Sequence, residues 1–286
     1  MADFSFLSAT ERDGWQVLCA EEDLSKAGEI RTVLFGEPIL IAREGDELHA
    51  RLDDGAELPA ISRYGYVWAS VGSPTADLFP LPEYAEPDRR NLHAASIGVR
   101  VSAPRAVENF LDMAHFPYVH TGILGEEPHT EVKDYEVETS AERDEVLATG
   151  CLFYQPRAAA KADGGLEVEY TYRVPHPFCS VLYKSSPGSP DRLDVIALFL
   201  QPVGHEQVRA HMLVSLLDDE TPHSALRGFQ QTIFAQDKPI LENQIPKRLP
   251  LDPRAETPIR ADKSAIAYRR WLSSKGVVYG VIPARA

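Results

Sequence analysis

DVIALFLQPVGHEQVRAHMLVSLL, residues 194–217, reads as two β-strands, DVIALFLQPV and QVRAHMLVSLL, crowded with apolar and β-branched side chains and separated by a polar turn. Working outward, SVLYKS (180–185), LEVEYTYRV (166–174), EVLATGCLFY (145–154) and TEVKDYEVET (130–139) repeat the pattern upstream, and NLHAASIGVRVS (91–102) reads as a further strand. Gly, Pro and Asp turns space these runs as an antiparallel sheet requires. Between the first strand and the others, Pro104 fits the first turn of a helix carrying ENFLDMAH. Downstream, Thr221 and Pro222 open a long helix to about Gln244, and Ala261 to Ser274 reads as a second helix closed by Gly276. The order helix, strands, long helix predicts an α+β fold, an antiparallel sheet wrapped around a long C-terminal helix with a cavity between them.

Ahead of this region, Ile30 to Trp68 reads as short strands, with turn signals at Gly36 and at Gly45-Asp46 and an aromatic, β-branched run in YGYVWASVG. Pro74, Pro80, Pro82 and Pro87 then punctuate a connection that reaches Asn91. The expected division is a small β domain over residues 1–75 and a larger domain over 76–286. No internal repeat or low-complexity tract is present.

With 286 residues, 44% of them hydrophobic, the chain can bury a large core without disulfides. Cys19, Cys151 and Cys179 are odd in number, far apart and never in a C-x-x-C or C-x-H pair, which points away from a disulfide framework or structural zinc and toward reduced thiols in a cytoplasm. The N-terminus meets charge within a few residues, and no run approaches the roughly 18 apolar residues of a membrane span. A soluble, cytoplasmic protein without a membrane partner is expected. The net charge of −14, from 29 Lys+Arg against 43 Asp+Glu, repels nucleic acid.

The chemistry concentrates in ENFLDMAHFPYVH, Glu108 to His120, which places Asn109, Asp112, His115 and His120 where a metal could collect two imidazoles. On a regular helix the H-x4-H spacing turns through about 500° and leaves the rings about 140° apart. Pro117 disfavours continuing the helix, so His120 can swing back from the following turn. Asp112 and His115 are expected on one helix face, with Asn109 a turn back on the same side. Two imidazoles leave a site underfilled, and the best third donor is Asp237, on the apolar stripe of FQQTIFAQDKPILENQ with Ile233, Phe234 and Leu241. A carboxylate aimed into a core costs several kcal/mol, on the order of a lost ion pair, unless it is paired or binds metal. Pro239 should disturb the helix beside it.

Spacing alone leaves three readings open: a ferrous facial triad, a zinc site with bound water, or hydrogen-bonded core groups. If the site is redox iron, the absence of paired Cys and His motifs means that electrons come from another protein. Asn109, Phe116, Phe229 and Ile233 are the candidate substrate contacts by helix spacing, suiting a mostly apolar pocket. His49, His93, His129 and His223 read as surface residues, and Tyr268, Arg269, Arg270 and Trp271 as packing or subunit contacts.

Together these residues resemble the catalytic domain of Rieske non-heme iron oxygenases, whose signature is close to N-x-x-D-x-x-H-x4-H and stands here as Asn109, Asp112, His115 and His120. The resemblance covers most of residues 58 to 283, with YGYVWAS, HFPYVHTGILG, FQQTIFAQDKPILENQ and RADKSAIAYRRWL in the family's order. It implies a helix-grip catalytic domain with His115, His120 and Asp237 as ligands of a mononuclear non-heme Fe(II). Asp112 would be the catalytic carboxylate linking the iron site to a cluster histidine of a neighbouring subunit. The family's N-terminal domain carries C-x-H and C-x-x-H arms for a [2Fe-2S] cluster. Here GEPILIAREGDELHA and LPAISRYGYVWASVG are joined by the short RLDDGAE with neither arm, so the small domain resembles a degenerate Rieske-like domain without its cluster.

Within the family the chain is most similar to the caffeine-degrading methylxanthine N-demethylase branch, and to its N7-specific member in lacking a cluster of its own. That resemblance implies an oxygenase component that removes an N-methyl group as formaldehyde, using dioxygen and electrons from a Rieske-containing reductase. A glutathione-transferase-like subunit and a trimeric or hetero-oligomeric assembly are further implied. The alternatives are a metal-dependent hydrolase using the two histidines and the aspartate, and a non-catalytic structural subunit of an oxygenase complex. Retention of all three ligand candidates argues against the latter.

Overall fold

The computed structural model describes residues 2–160, 164–186, 189–218 and 220–284, apart from the side chains of residues 189 and 190. The N-terminal part runs α1 (Ala9–Arg12), β1 (Gln16–Ala20), α2 (Glu21–Ala27), β2 (Glu29–Leu34), β3 (Glu37–Glu44), β4 (Glu47–Leu52), β5 (Ala60–Arg63) and β6 (Tyr66–Ala69). It forms two three-stranded antiparallel sheets, ordered β2-β3-β4 and β1-β6-β5. Phe35 and Gly36, both at positive φ, make the two-residue β2–β3 turn that Gly36 signals in the sequence. RLDDGAE closes on itself between β4 and β5: Leu52 N–H donates to Ala56 O at 3.0 Å, and Gly55 supplies a positive φ of 85°.

The main sheet comprises β7 (Arg90–Val99), β8 (Glu136–Ser140), β9 (Glu145–Gln155), β10 (Leu166–His176), β11 (Cys179–Ser186), β12 (Ser189–Gly204) and β13 (Gln207–Leu216). Its spatial order is β7-β13-β12-β11-β10-β9-β8, antiparallel throughout. Strand β8 begins at Glu136, so the sequence reading placed its start too early. One face of this sheet packs on Tyr66, Trp68, Leu78 and Leu81 through Val181, Val195, Phe199 and Leu213. Trp68 and Phe199 meet edge to face at 4.9 Å between centroids, and truncating such a ring costs about 3–5 kcal/mol. The other face receives three helices. Burial on both faces explains why VIALFL is continuously apolar rather than alternating.

Those helices are α3 (Ala103–Leu111), α5 (His223–Asn243) and α6 (Lys263–Ser274), with the single-turn α4 (Phe116–Val119) between the first two. Ser102 caps α3, and Ala103, Ala106, Val107 and Leu111 form its buried face. Helix α5 buries Leu226, Phe234 and Leu241 and continues through Pro239 rather than breaking there. A short parallel bridge, β14 (Leu249–Pro250) with β15 (Val281–Ile282), closes the C-terminal segment. The α+β architecture is therefore the expected one. A single apolar cluster reaches from Leu18, Leu34 and Ile41 to Leu92, Leu200 and Val281. None of the described helices is long and apolar enough to cross a membrane.

Candidate metal centre

The segment joining α3 to α4 is built differently from the sequence reading. Helix α3 ends at Leu111, and Asp112 has extended backbone (φ −82°, ψ 121°) while its Oδ1 accepts the Ala114 N–H at 2.7 Å. That side-chain bond offers the backbone an alternative to another helical turn, so Asp112 and His115 do not share a helix face. Pro117 consequently does not end the helix. It sits in the first turn of α4, with His115 as N-cap and His120 as C-cap. His120 leaves helical geometry (φ −112°, ψ 34°), which turns its ring back toward His115, 5.0 Å away between centroids.

The structure brings His115, His120 and Asp237 together, with one potential ligand atom from each lying within 4.8 Å of the others. Asp237 Oδ1 stands 3.3 Å from His115 Nε2 and 3.0 Å from His120 Nε2. Each ring uses its other nitrogen on the protein: His115 Nδ1 meets Asp112 Oδ2 at 3.1 Å, and His120 Nδ1 meets Gln236 Oε1 at 2.9 Å. Holding Nδ1 in this way points the Nε2 lone pair of each imidazole at the shared gap, as metal-binding histidines require. His115 Nε2 and Asp237 Oδ1 are buried without a hydrogen-bond partner. These two orphaned atoms, together with the Nε2 of His120, make a set of two imidazoles and a carboxylate that fits an iron ion with positions left open.

Burial opposes charge on His115, but the carboxylates of Asp112 and Asp237 outweigh it and hold its pKa up at about 9. Burial likewise opposes charge on Asp237, and the two histidines nevertheless draw its pKa below the usual carboxylate value. Proton and cation thus compete for one anionic pocket.

A cavity of about 120 Å³ opens beside these groups, between α5, α3 and the sheet. Asn109, Phe116, Phe229 and Ile233, the substrate candidates, all line it together with the three ligand candidates. Tyr170, Lys184, Asp194 and Gln230 line it as well and were not singled out from sequence. Nor was Gln236, which carries no signal beyond standing next to Asp237. A second cavity shares His115 and Asn109 with the first and is also lined by Asp112, Glu108, Arg105, Glu256 and Arg269, none of which lines the first. Arg105 and Arg269 are buried and share Glu108 and Glu256 as partners, while the Asp112 side chain remains 33% exposed.

His129 and His223 are exposed as expected, whereas His49 is partly buried and His93 is enclosed against the Tyr66 hydroxyl at 2.8 Å. Tyr268, Arg269 and Trp271 are packed inside, and Arg270 points out.

A fold with two histidines and a carboxylate between a sheet and a long helix defines a class, and the chain belongs to it. The vanillate O-demethylase oxygenase C-terminal domain family matches residues 99–276, and the chain is a member of that family. Family membership implies an oxygenase with non-heme iron. It is 45% identical over 269 residues to the probable methylxanthine N7-demethylase NdmC of Pseudomonas sp. (strain TJI-51), covering 94% of this chain and 95% of that protein. It is 25% identical to the methylxanthine N1-demethylase NdmA of Pseudomonas putida over 73% of this chain and 58% of that one. The solved structure of Pseudomonas putida CBB5 NdmA with caffeine superposes with a TM-score of 0.75 at 21% identity, covering 92% of this chain and 90% of that one.

Proposed function

We propose that the chain is the oxygenase component of a multi-protein N-demethylase that removes the N7 methyl group of a methylxanthine as formaldehyde. The observation that carries this is the pair of imidazole Nε2 faces and the Asp237 carboxylate converging beside an apolar cavity, in a chain 45% identical to a probable N7-demethylase. In this reading His115, His120 and Asp237 hold Fe(II), and Asp112 and Gln236 fix the two rings. An iron ion held there would supply dioxygen activation: overall one oxygen atom would enter a C–H bond of the N-methyl group, the other would leave as water with two electrons and two protons, and the N-hydroxymethyl compound would release formaldehyde. Phe116, Phe229 and Ile233 wall the planar ring system and keep water out, and Asn109 offers an amide to orient it.

Electrons arrive through Asp112, which lines the second cavity, rimmed by charged groups, and not the substrate cavity. Their source in this reading is a separate Rieske-containing reductase, with a glutathione-transferase-like subunit in the assembly. Residues 51–57 contain neither Cys nor His, which supports a small β domain (1–75) with no [2Fe-2S] cluster beside a catalytic domain (76–286).

The test is anaerobic loading with Fe(II), then addition of dioxygen, a methylxanthine bearing an N7 methyl and a Rieske-bearing reductase, with formaldehyde measured. The parent should turn over and His115→Ala should not. Equal turnover in both removes the ligand assignment. Turnover without dioxygen or reductant establishes a hydrolase instead, and a silent parent that restores activity to an oxygenase partner establishes a structural subunit.

A further inference from the structure

The inward positions of the main sheet carry two charges that the proposed chemistry leaves unused. Strand β11 turns Leu182 and Lys184 to the cavity, and β12 turns Asp194, Ile196 and Leu198 to it. Val181, Val195 and Phe199 occupy the opposite face, so Lys184 and Asp194 interrupt an otherwise apolar inner stripe. They are direct partners across the β11–β12 ladder. The Lys184 ammonium donates to Ala158 O, its only hydrogen bond among the described residues, and two N–H groups remain. Asp194 Oδ1 accepts the Leu217 N–H at 2.9 Å, its carboxylate also takes a hydrogen bond from Ser186 and lies in the field of Arg89, and a carboxylate with two such bonds keeps further acceptor capacity. The two charges attract each other, yet neither hydrogen-bonds the other. An enclosed ammonium with one acceptor is costly unless a third party takes its remaining N–H groups, and the half-buried carboxylate beside it offers that third party an acceptor. Burial accordingly pushes Lys184 down to about 8.

The pair stands across the cavity from the histidines. The Lys184 ammonium is 5.9 Å from the Tyr170 ring centroid, and Tyr170 is 6.2 Å from Phe116. Phe116 in turn lies 5.1 Å from the His115 ring and 6.0 Å from the His120 ring. Two aromatic rings therefore separate the charged pair from the metal centre.

We propose that Lys184 and Asp194 form the subsite that reads the far edge of the substrate, Lys184 donating to a ring carbonyl and Asp194 accepting from the adjacent ring N–H. The inference rests on the methylxanthine reading: with one N-methyl group at the metal, the dione edge of the bicycle faces the sheet. A ring nitrogen bearing hydrogen satisfies Asp194, whereas a methylated one brings an apolar group against a carboxylate. The subsite selects substrates with an unmethylated dione nitrogen.

Calorimetric titration of the iron-loaded protein under argon with 7-methylxanthine and with 1,3,7-trimethylxanthine tests this. The parent should bind the first at least about tenfold more tightly, because a site built to accept a hydrogen bond rejects the analogue that lacks it. Asp194→Leu should bring the two affinities within about twofold, and Lys184→Met should weaken both about tenfold, with iron content unchanged. An unchanged affinity ratio in Asp194→Leu overturns the proposal. Should the variants fold poorly, the parent alone decides: 1,7- and 3,7-dimethylxanthine should differ in affinity, and equal binding of all four purines overturns the subsite while leaving the methylxanthine reading intact. A parent that binds none of them removes both.

Discussion

His120 is tied to Gln236 across 2.9 Å, its Nδ1 proton resting on the amide oxygen of the residue that precedes Asp237. One turn of α5 thereby both orients a ring and faces it with a carboxylate. Gln236→Leu removes the acceptor and frees the ring. Iron affinity should fall about 10- to 100-fold, read by metal analysis after dialysis, while Asp237 remains in place.

Gly125 packs against the peptide between the two histidines. A Cβ there would lie 2.8 Å from Pro117 N, 3.0 Å from the Phe116 carbonyl carbon and 3.0 Å from the Phe153 ring. Backbone must move to admit it, and the backbone that moves carries His115 and His120. Gly125→Ala should cost about 1–3 kcal/mol in urea unfolding and lower iron occupancy as well. Unchanged occupancy would show that α4 adjusts without disturbing the rings.

Asp112 both stops α3 and receives the His115 Nδ1 proton. Asp112→Ala is expected to keep iron at saturating Fe(II), because Nε2 is untouched, while slowing oxidation of the reductase in stopped flow. Iron lost together with activity would instead assign Asp112 to holding the ring alone.

His176 sets an acid limit on stability. Its Nδ1 accepts the Phe178 N–H at 3.2 Å, and its Nε2 is shut off from solvent although other atoms of the residue reach it. Burial pushes the ring down to about 4. The unfolded chain takes a proton at about 6.5, so it binds more protons than the folded chain between those values, and stability falls as pH drops through that window. The loss between pH 7 and pH 5 is about 2 kcal/mol from this residue. His176→Asn should flatten that part of the urea-unfolding profile.

The sheet was readable because burial on both faces writes itself as unbroken apolar runs, and because Gly and Pro mark the turns between them. The association of His115, His120 and Asp237 was readable from a carboxylate on an apolar helical stripe. What could not be read were decisions made by single side chains. Asp112 ends α3 five residues before the proline that the sequence suggested as the breaker, through a bond to Ala114 that spacing does not announce. His93 looked superficial in its strand and is instead joined to Tyr66, whose ring reaches it from a strand 27 residues earlier. Lys184 and Asp194 did leave a trace, a charge at an inward position of each strand, which only the register makes visible.

Helix α5 carries Phe229 and Ile233 on the cavity wall and, within two further turns, Gln236 and Asp237. A replacement there that tilts or slides this rod to admit a differently shaped molecule is felt at the proposed metal ligand Asp237 as well. Among the described residues the strands opposite hold no candidate ligand, so β11 and β12 are where an ancestral lineage, or an engineer, can retune what the cavity accepts without touching the proposed metal ligands.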